Sequence, residues 1–196
     1  MQRFTIHSGK SVAIDRSNID TDQIIPKQFL KRVERTGYGE FLFFDWRFNS
    51  VGSPDPGFPL NSPASADSSI LIAGTNFGCG SSREHAAWSL LDHGIRAVIA
   101  PSFGDIFYAN SLKNGLLPIR QPRDVVSDLI ERARTGDLFL TIDLGKNLVA
   151  SSDGKFYNFD IDAFDKKCLL EGLDEIALTL AHEPLITRFE QSAAAN

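Results

Sequence analysis

From Ser69 to Gly136 the chain passes three times through one cycle, an apolar stretch followed by a segment with apolar residues at helical spacing. The apolar stretches are Ser69–Ala73, Ile95–Ala100 and Gly115–Ile119, each short enough for a buried strand. Between and after them, 83–93, 105–114 and 122–136 carry the helical pattern. Ala86, Ala87, Leu90 and Leu91 share one face of the first, with Gly94 as its stop. Val125, Val126, Leu129, Ile130 and Ala133 share one face of the third, which opens at Pro122 and closes at Gly136. Strands separated in this way pair in parallel through right-handed crossovers. The flanks read differently. Phe4 and Ile6, then Val12 and Ile14, surround Ser8-Gly9-Lys10, which predicts an N-terminal hairpin. Leu138, Leu140, Ile142 and Leu144 alternate with other residues, and turns at 145–147 and 153–154 follow, predicting an antiparallel meander. One or two helices are expected from Phe164 to Gln191. The fold class is α/β with a mixed, partly parallel sheet, and residues 1–196 fit a single domain.

Composition narrows the function classes. There are 20 Lys+Arg against 25 Asp+Glu, a net charge of −5, which argues against a nucleic-acid binder. No apolar run approaches the ~18 residues a spanning helix requires. Met1-Gln2-Arg3-Phe4-Thr5-Ile6-His7 lacks the apolar core of a secretory signal, so membranes are not expected as partners. The two cysteines, Cys79 and Cys168, imply no disulfide framework, and the reducing cytoplasm is the expected setting. Two thiols also fall short of the four that usually hold an iron–sulfur cluster. His7, His85, His93 and His182 are scattered without metal-ligand spacing, so no metal site is expected. His93 is expected at its helix C-terminus and His85 in a first helical turn.

The segment Asn49–Pro63 is rich in proline and glycine, which excludes a helix or central strand there. A loop of that length is either functional and mobile or a plain surface excursion.

The most informative string is Gly74-Thr75-Asn76-Phe77-Gly78-Cys79-Gly80-Ser81-Ser82-Arg83-Glu84-His85, between an expected buried strand and an amphipathic helix. Its glycines permit close backbone approach to a ligand. Ser81 and Ser82 fall near the helix start, where free N–H groups attract an anion, and Arg83 adds a planar donor fork. Ser81 could equally be a plain N-cap, with Glu84 completing a capping box. Three chemistries could use such an anion site. A dinucleotide loop is disfavoured because the next strand ends Ala100-Pro101-Ser102 without the acid that binds a ribose hydroxyl. A serine hydrolase is disfavoured because Gly-Cys-Gly-Ser-Ser does not match the Gly-x-Ser-x-Gly elbow. Proton abstraction beside a carboxylate remains.

Three motifs carry a resemblance. Gly78-Cys79-Gly80-Ser81-Ser82-Arg83-Glu84-His85, Asn18-Ile19-Asp20-Thr21-Asp22-Gln23-Ile24-Ile25-Pro26, and Gly104–Ser111 with Gly115-Leu116-Leu117-Pro118 stand in family order. With Phe29–Arg47 and Leu170–Ala177, the chain resembles the small-subunit family of 3-isopropylmalate dehydratases, in the aconitase superfamily. The resemblance covers nearly the whole chain. It implies a swivelling-type β/β/α domain and reversible dehydration of a dicarboxylic 2-hydroxy acid. Residue by residue, it implies Ser81 as general base, Gly80, Ser82 and Arg83 as carboxylate-binding, and Asp22 as a member of the active-site network. Ile25 stands where citrate-handling aconitases carry serine, which points away from citrate. Residues 27–66 would be the substrate-selecting region, with Leu30 toward an isopropyl arm and Lys31 or Arg32 toward a carboxylate. Residues 164–196 would form a helical tail. The resemblance further implies no cofactor on this chain and a 4Fe-4S cluster on a large-subunit partner. Homoaconitate- or methylmalate-type substrates, and a carboxylate-binding module without catalysis, are the alternatives.

Overall fold

The computed structural model describes residues 1–31, 34–135, 138–180 and 182–194. The strands are β1 (Ile6–Ile14), β2 (Ser68–Ala73), β3 (Ala97–Ala100), β4 (Leu117–Arg120), β5 (Phe139–Asp143), β6 (Leu148–Ser151) and β7 (Phe156–Asn158). They form one seven-stranded sheet in the order β4-β3-β2-β1-β5-β6-β7. β1 to β4 pair in parallel, and β1, β5, β6 and β7 pair antiparallel. Pro118 lies in β4, an edge strand, where its missing N–H is tolerated.

The helices among the described residues are α1 (Thr21–Ile24), α2 (Phe44–Arg47), α3 (Glu84–Asp92), α4 (Asp105–Asn114), α5 (Arg123–Ala133), α6 (Ala163–Glu171), α7 (Glu175–Leu180) and α8 (Glu183–Ala194). The tail therefore holds three helices rather than one or two. Gly172, with a positive φ of 72°, ends α6, and Asp174 caps the next turn by accepting from the Ala177 N–H. The proposed stop at Gly136 lies outside the described residues.

The expected N-terminal hairpin is absent. Residues 6–14 form one strand whose first half pairs antiparallel with β5 and whose second half pairs parallel with β2. The register shifts between Lys10 and Ser11, where a bulge changes the pairing. Gly9 is not a turn glycine: a Cβ there would lie 1.9 Å from Ser69 Oγ, so its bare Cα makes room for the neighbouring strand.

The core lies on both faces of the sheet, which explains why β2 and β3 read as unbroken apolar runs. On one face Val12, Ile14, Leu71, Ala73 and Val98 pack with Ala86, Ala87 and Leu90 of α3 and Phe107 of α4. On the other, Ile70, Ile72, Ala97, Ile99 and Ile119 pack with Val126, Leu129, Ile130 and Ala133 of α5.

Residues 34–48 fold onto the far end of α3. The Tyr38 N–H donates to Asp92 Oδ2 at 2.9 Å, and Gly39 approaches so closely that a Cβ would meet the Asp92–His93 backbone at 2.6 Å. His93 occupies the C-cap of α3, and its Nδ1 lies 3.2 Å from the Gly39 carbonyl rather than on the helix's own terminal carbonyls. The long loop is pinned further on: Asn61 Nδ2 donates to the carbonyls of Arg47 and Asp55, and Phe58 is buried.

Burial, with Arg47 nearby, holds the His93 imidazole below its ordinary 6.5. His7 and His85 are lowered as well, each chiefly by burial. The unfolded chain then binds more protons, so stability is full above pH 6.5 and falls as pH drops through that value toward the folded pKa. Urea unfolding at pH 7.5 and 5.5 should show this loss, and His93→Gln should lose less than the parent. Equal losses in the two proteins would exclude His93 as a contributor.

Candidate active site

The site residues sit at the C-terminal ends of the parallel strands, where crossover sheets place ligands. Beyond β1, β2 and β3 the chain continues as loops that keep strand-like pairing for a few residues. Asp20 bridges Cys79, and Phe77 bridges Phe103. The Gly78 and Cys79 N–H groups both donate to the Ile19 carbonyl, at 2.8 and 3.2 Å. In return the Thr21 N–H donates to the Cys79 carbonyl at 2.9 Å, and Thr21 Oγ1 donates to the Ser81 carbonyl at 2.9 Å. Two of the three motifs are thus stitched together by their backbones.

Glycine is required at two points of this crossing. Gly78 has φ of +72°, and a Cβ there would overlap the Phe107 ring at 2.2 Å. Gly80 has φ of +90°, and a Cβ would lie 2.1 Å from Asp20 Oδ2. Gly80 therefore shapes the backbone and leaves room for Asp20.

The start of α3 differs from the expected capping box. The N-cap is Arg83, extended at φ −134° and ψ 106°, and it makes no side-chain cap bond. Ser81 and Ser82 precede the cap, and both are exposed. Among the described residues neither serine hydroxyl is consumed by a cap, so both face outward ahead of the positive end of a nine-residue helix. The capping box lies instead in α1. Asp20 accepts from the Asp22 N–H at 2.7 Å, and its own N–H donates to Gln23 Oε1 at 2.9 Å. Asp20 and Gln23 stand at the capping-box spacing, so this signal was present in the sequence.

That box aims Asp22 at Arg83. The Arg83 guanidinium, only 12% exposed, pairs with Asp22 Oδ1 and also donates to the Ile25 carbonyl at 3.4 Å. Lys27 Nζ stands 3.7 Å from Asp22 Oδ2. Two cations, Arg83 and Lys27, stand against two carboxylates, Asp22 and the adjacent Asp20, so the corner is charge-balanced and it is the planar fork of the arginine that suits an incoming carboxylate. Ile25 is buried, so its side chain belongs to the core while its carbonyl serves the arginine. Thr21, Lys27 and the Ile25 carbonyl were not singled out from the sequence.

Lys31 ends the 3₁₀ turn Lys27–Lys31 and is exposed. Leu30 is half-buried against the core on the α3 side of the sheet, beside Phe29, whose ring stacks on Phe41 at 4.0 Å. Arg32 lies outside the described residues.

Burial and the nearby Asp20 push the Cys79 thiol up, which disfavours the thiolate. His85 is wedged between aromatic rings, 5.2 Å from Tyr38 and 4.6 Å from Trp88. Cys168 lies elsewhere, against an apolar cavity of about 290 Å³ bordered by Tyr108, Leu112, Phe164 and Leu178. Among the described residues no group of three His, Cys, Asp or Glu side chains could hold a metal ion. No helix among the described residues is long and apolar enough to cross a membrane.

A mixed sheet whose strand-end loops present Gly-x-Gly-Ser-Ser-Arg beside Thr-Asp marks an aconitase-type domain. Residues 1–124 match the family described as the aconitase C-terminal domain. Curated relatives narrow this further. The 3-isopropylmalate dehydratase small subunit of Anoxybacillus flavithermus is 56% identical, covering 97% of this chain and 98% of its own. That of Bacillus subtilis is 53% identical, covering 97% and 96%. The crystal structure of 3-isopropylmalate dehydratase from Methanocaldococcus jannaschii superposes with a TM-score of 0.68 at 27% identity, over 93% of this chain and 98% of that one. The chain belongs to the 3-isopropylmalate dehydratase small-subunit family.

Gly80→Ala should place a side chain in the left-handed region against Asp20 and cost about 1–3 kcal/mol. The urea midpoint should fall with an unchanged m-value, whereas Gly94→Ala, where no atom lies within 4 Å of the new Cβ, tests the conformational cost without a collision. A Gly80→Ala loss no greater than that of Gly94→Ala would remove the Asp20 contact as the reason for glycine.

Proposed function

We propose that this chain supplies the proton-abstracting and carboxylate-binding half of a dehydratase that interconverts 2-isopropylmalate and 3-isopropylmalate in leucine biosynthesis. The observation that carries the reading is the exposed Ser81–Ser82 pair, ahead of α3 and adjoining the Arg83–Asp22–Lys27 cluster. In this reading Arg83, held in place by Asp22, meets one substrate carboxylate with Ser82 and the Gly80 backbone. Ser81 Oγ takes the proton from the adjacent carbon, and the released electron pair becomes the new double bond as hydroxide leaves the neighbouring carbon. A serine hydroxyl is a weak base, and the neighbouring Arg83 guanidinium and the helix N-terminus favour its deprotonated form. Leu30 and Lys31 flank the arm that distinguishes one substrate from another.

The departure of hydroxide calls for a Lewis acid. A large-subunit partner carrying an iron–sulfur cluster would supply it, and the outward-facing serines suit an active site closed by a second chain.

The test is reconstitution under anaerobic conditions with the cluster-bearing large subunit of a bacterial 3-isopropylmalate dehydratase, scanning isopropylmalate, homoaconitate and methylmalate. Isopropylmalate should be turned over fastest, and this chain alone should turn over none. Ser81→Ala should lower kcat by about 10²–10⁴-fold while the subunits still associate. Arg83→Lys should chiefly raise KM, by roughly tenfold, through loss of the planar fork. Retained turnover in Ser81→Ala would remove the serine from the role of base.

A further inference from the structure

We propose that Thr21 is a positioning residue for Ser81: its hydroxyl, buried in the first turn of α1, holds the Ser81 carbonyl and so aims the serine side chain. The inference rests on the assignment of Ser81 as base. Ser81 is exposed and precedes the helix, so the hydrogen-bond ladder of α3 does not hold it. Its neighbour Gly80 has the freest backbone of any residue type, and sits at φ +90°. A reacting group on such a segment needs a tether, and Thr21 Oγ1 provides one at 2.9 Å. The hydroxyl is placed for this alone. Thr21 is 1% exposed, and its single proton has the Ser81 carbonyl as its near acceptor, with Asp20 Oδ1 distant at 3.5 Å.

The same residue fixes the other half of the site. The Thr21 N–H donates to the Cys79 carbonyl, and the next residue along is Asp22, partner of Arg83. Thr21 thereby sets the serine and the arginine clamp in one frame, through two bonds of which a residue without a hydroxyl would keep only the backbone one. A displacement near 1 Å of a reacting group costs up to about 100-fold in rate without weakening binding in proportion. The expected signature is therefore a kcat effect at nearly constant KM.

The experiment compares Thr21→Val, which keeps the branched shape and removes the hydroxyl, with Thr21→Ser, which keeps the hydroxyl. In the reconstituted enzyme Thr21→Val should lower kcat by about 10–100-fold with KM within about threefold, and Thr21→Ser should restore kcat to within about threefold of the parent. In parallel, ¹⁵N relaxation of the chain by itself should give Ser81 and Ser82 order parameters below about 0.6 in Thr21→Val, with rigid values retained in the parent and in Thr21→Ser. Unchanged kcat in Thr21→Val with an active parent enzyme overturns the proposal, as do unchanged order parameters. If the parent pair turns over no isopropylmalate, the functional reading fails, and the order parameters alone decide whether Thr21 tethers Ser81. Should Thr21→Val unfold, Thr21→Ala and Thr21→Ser serve as the comparison, with the same readouts.

Discussion

Everything that makes this surface a site depends on a short exchange of backbone hydrogen bonds between the loop after β1 and the loop after β2. Ile19 accepts from two successive N–H groups of the glycine segment, and Cys79 accepts from Thr21. Buried main-chain groups must find partners, and here they find each other across 58 or more positions of sequence. The consequence is geometric. A four-residue helix too short to stand by itself is locked by its capping box on one side and by the glycine loop on the other. Glycines at 78 and 80 let the two loops approach, because any Cβ there would meet a ring or a carboxylate.

The electrostatics follow from that locking. Asp22 is aimed at Arg83 by a cap rather than by chance contact, and Lys27 adds a second cation beside the same carboxylate. An arginine pre-oriented by a carboxylate loses less freedom on meeting an anion than one waving in water. α3 joins this corner to the opposite end of its axis, where Gly39 and Tyr38 rest on Asp92 and His93. The turn at Tyr38–Gly39 and the Arg83 corner are thereby referred to one nine-residue strut.

The parallel half of the sheet was legible in the sequence because its strands are buried on both faces, and β2 and β3 appear as short apolar runs between amphipathic helices. The meander was legible for the opposite reason, as strict alternation. β1 misled because Ser8-Gly9-Lys10 looks like a turn, yet Gly9 is there to admit the Ser69 side chain. No local pattern encodes a strand that changes partner at a bulge, since its two partners lie about 60 and about 130 residues further along the chain. Ser81, Ser82, Arg83 and Asp22 were singled out from motif order, and the structure brings Asp22 to Arg83. Thr21 was not singled out, because a bond from its hydroxyl to a distant carbonyl leaves no periodic or compositional trace. Ser81 and Glu84 also have the capping-box spacing, but the N-cap of α3 falls two residues after Ser81, at Arg83, and the box forms in α1 instead.

The split allegiance of β1 also bears on how the molecule comes together. Its two neighbours, β2 and β5, are both synthesised after it and flank it on opposite sides, with Ile6 opposite Asp143 and Ile14 opposite Ala73. Of the seven strands β1 is made first and is the keystone that waits longest for its final neighbour, β5, which ends only at Asp143 of 196 residues. Such distant closures slow assembly and leave an unpaired edge exposed meanwhile, so nascent-chain crowding should weigh on this architecture more than on one built from adjacent hairpins.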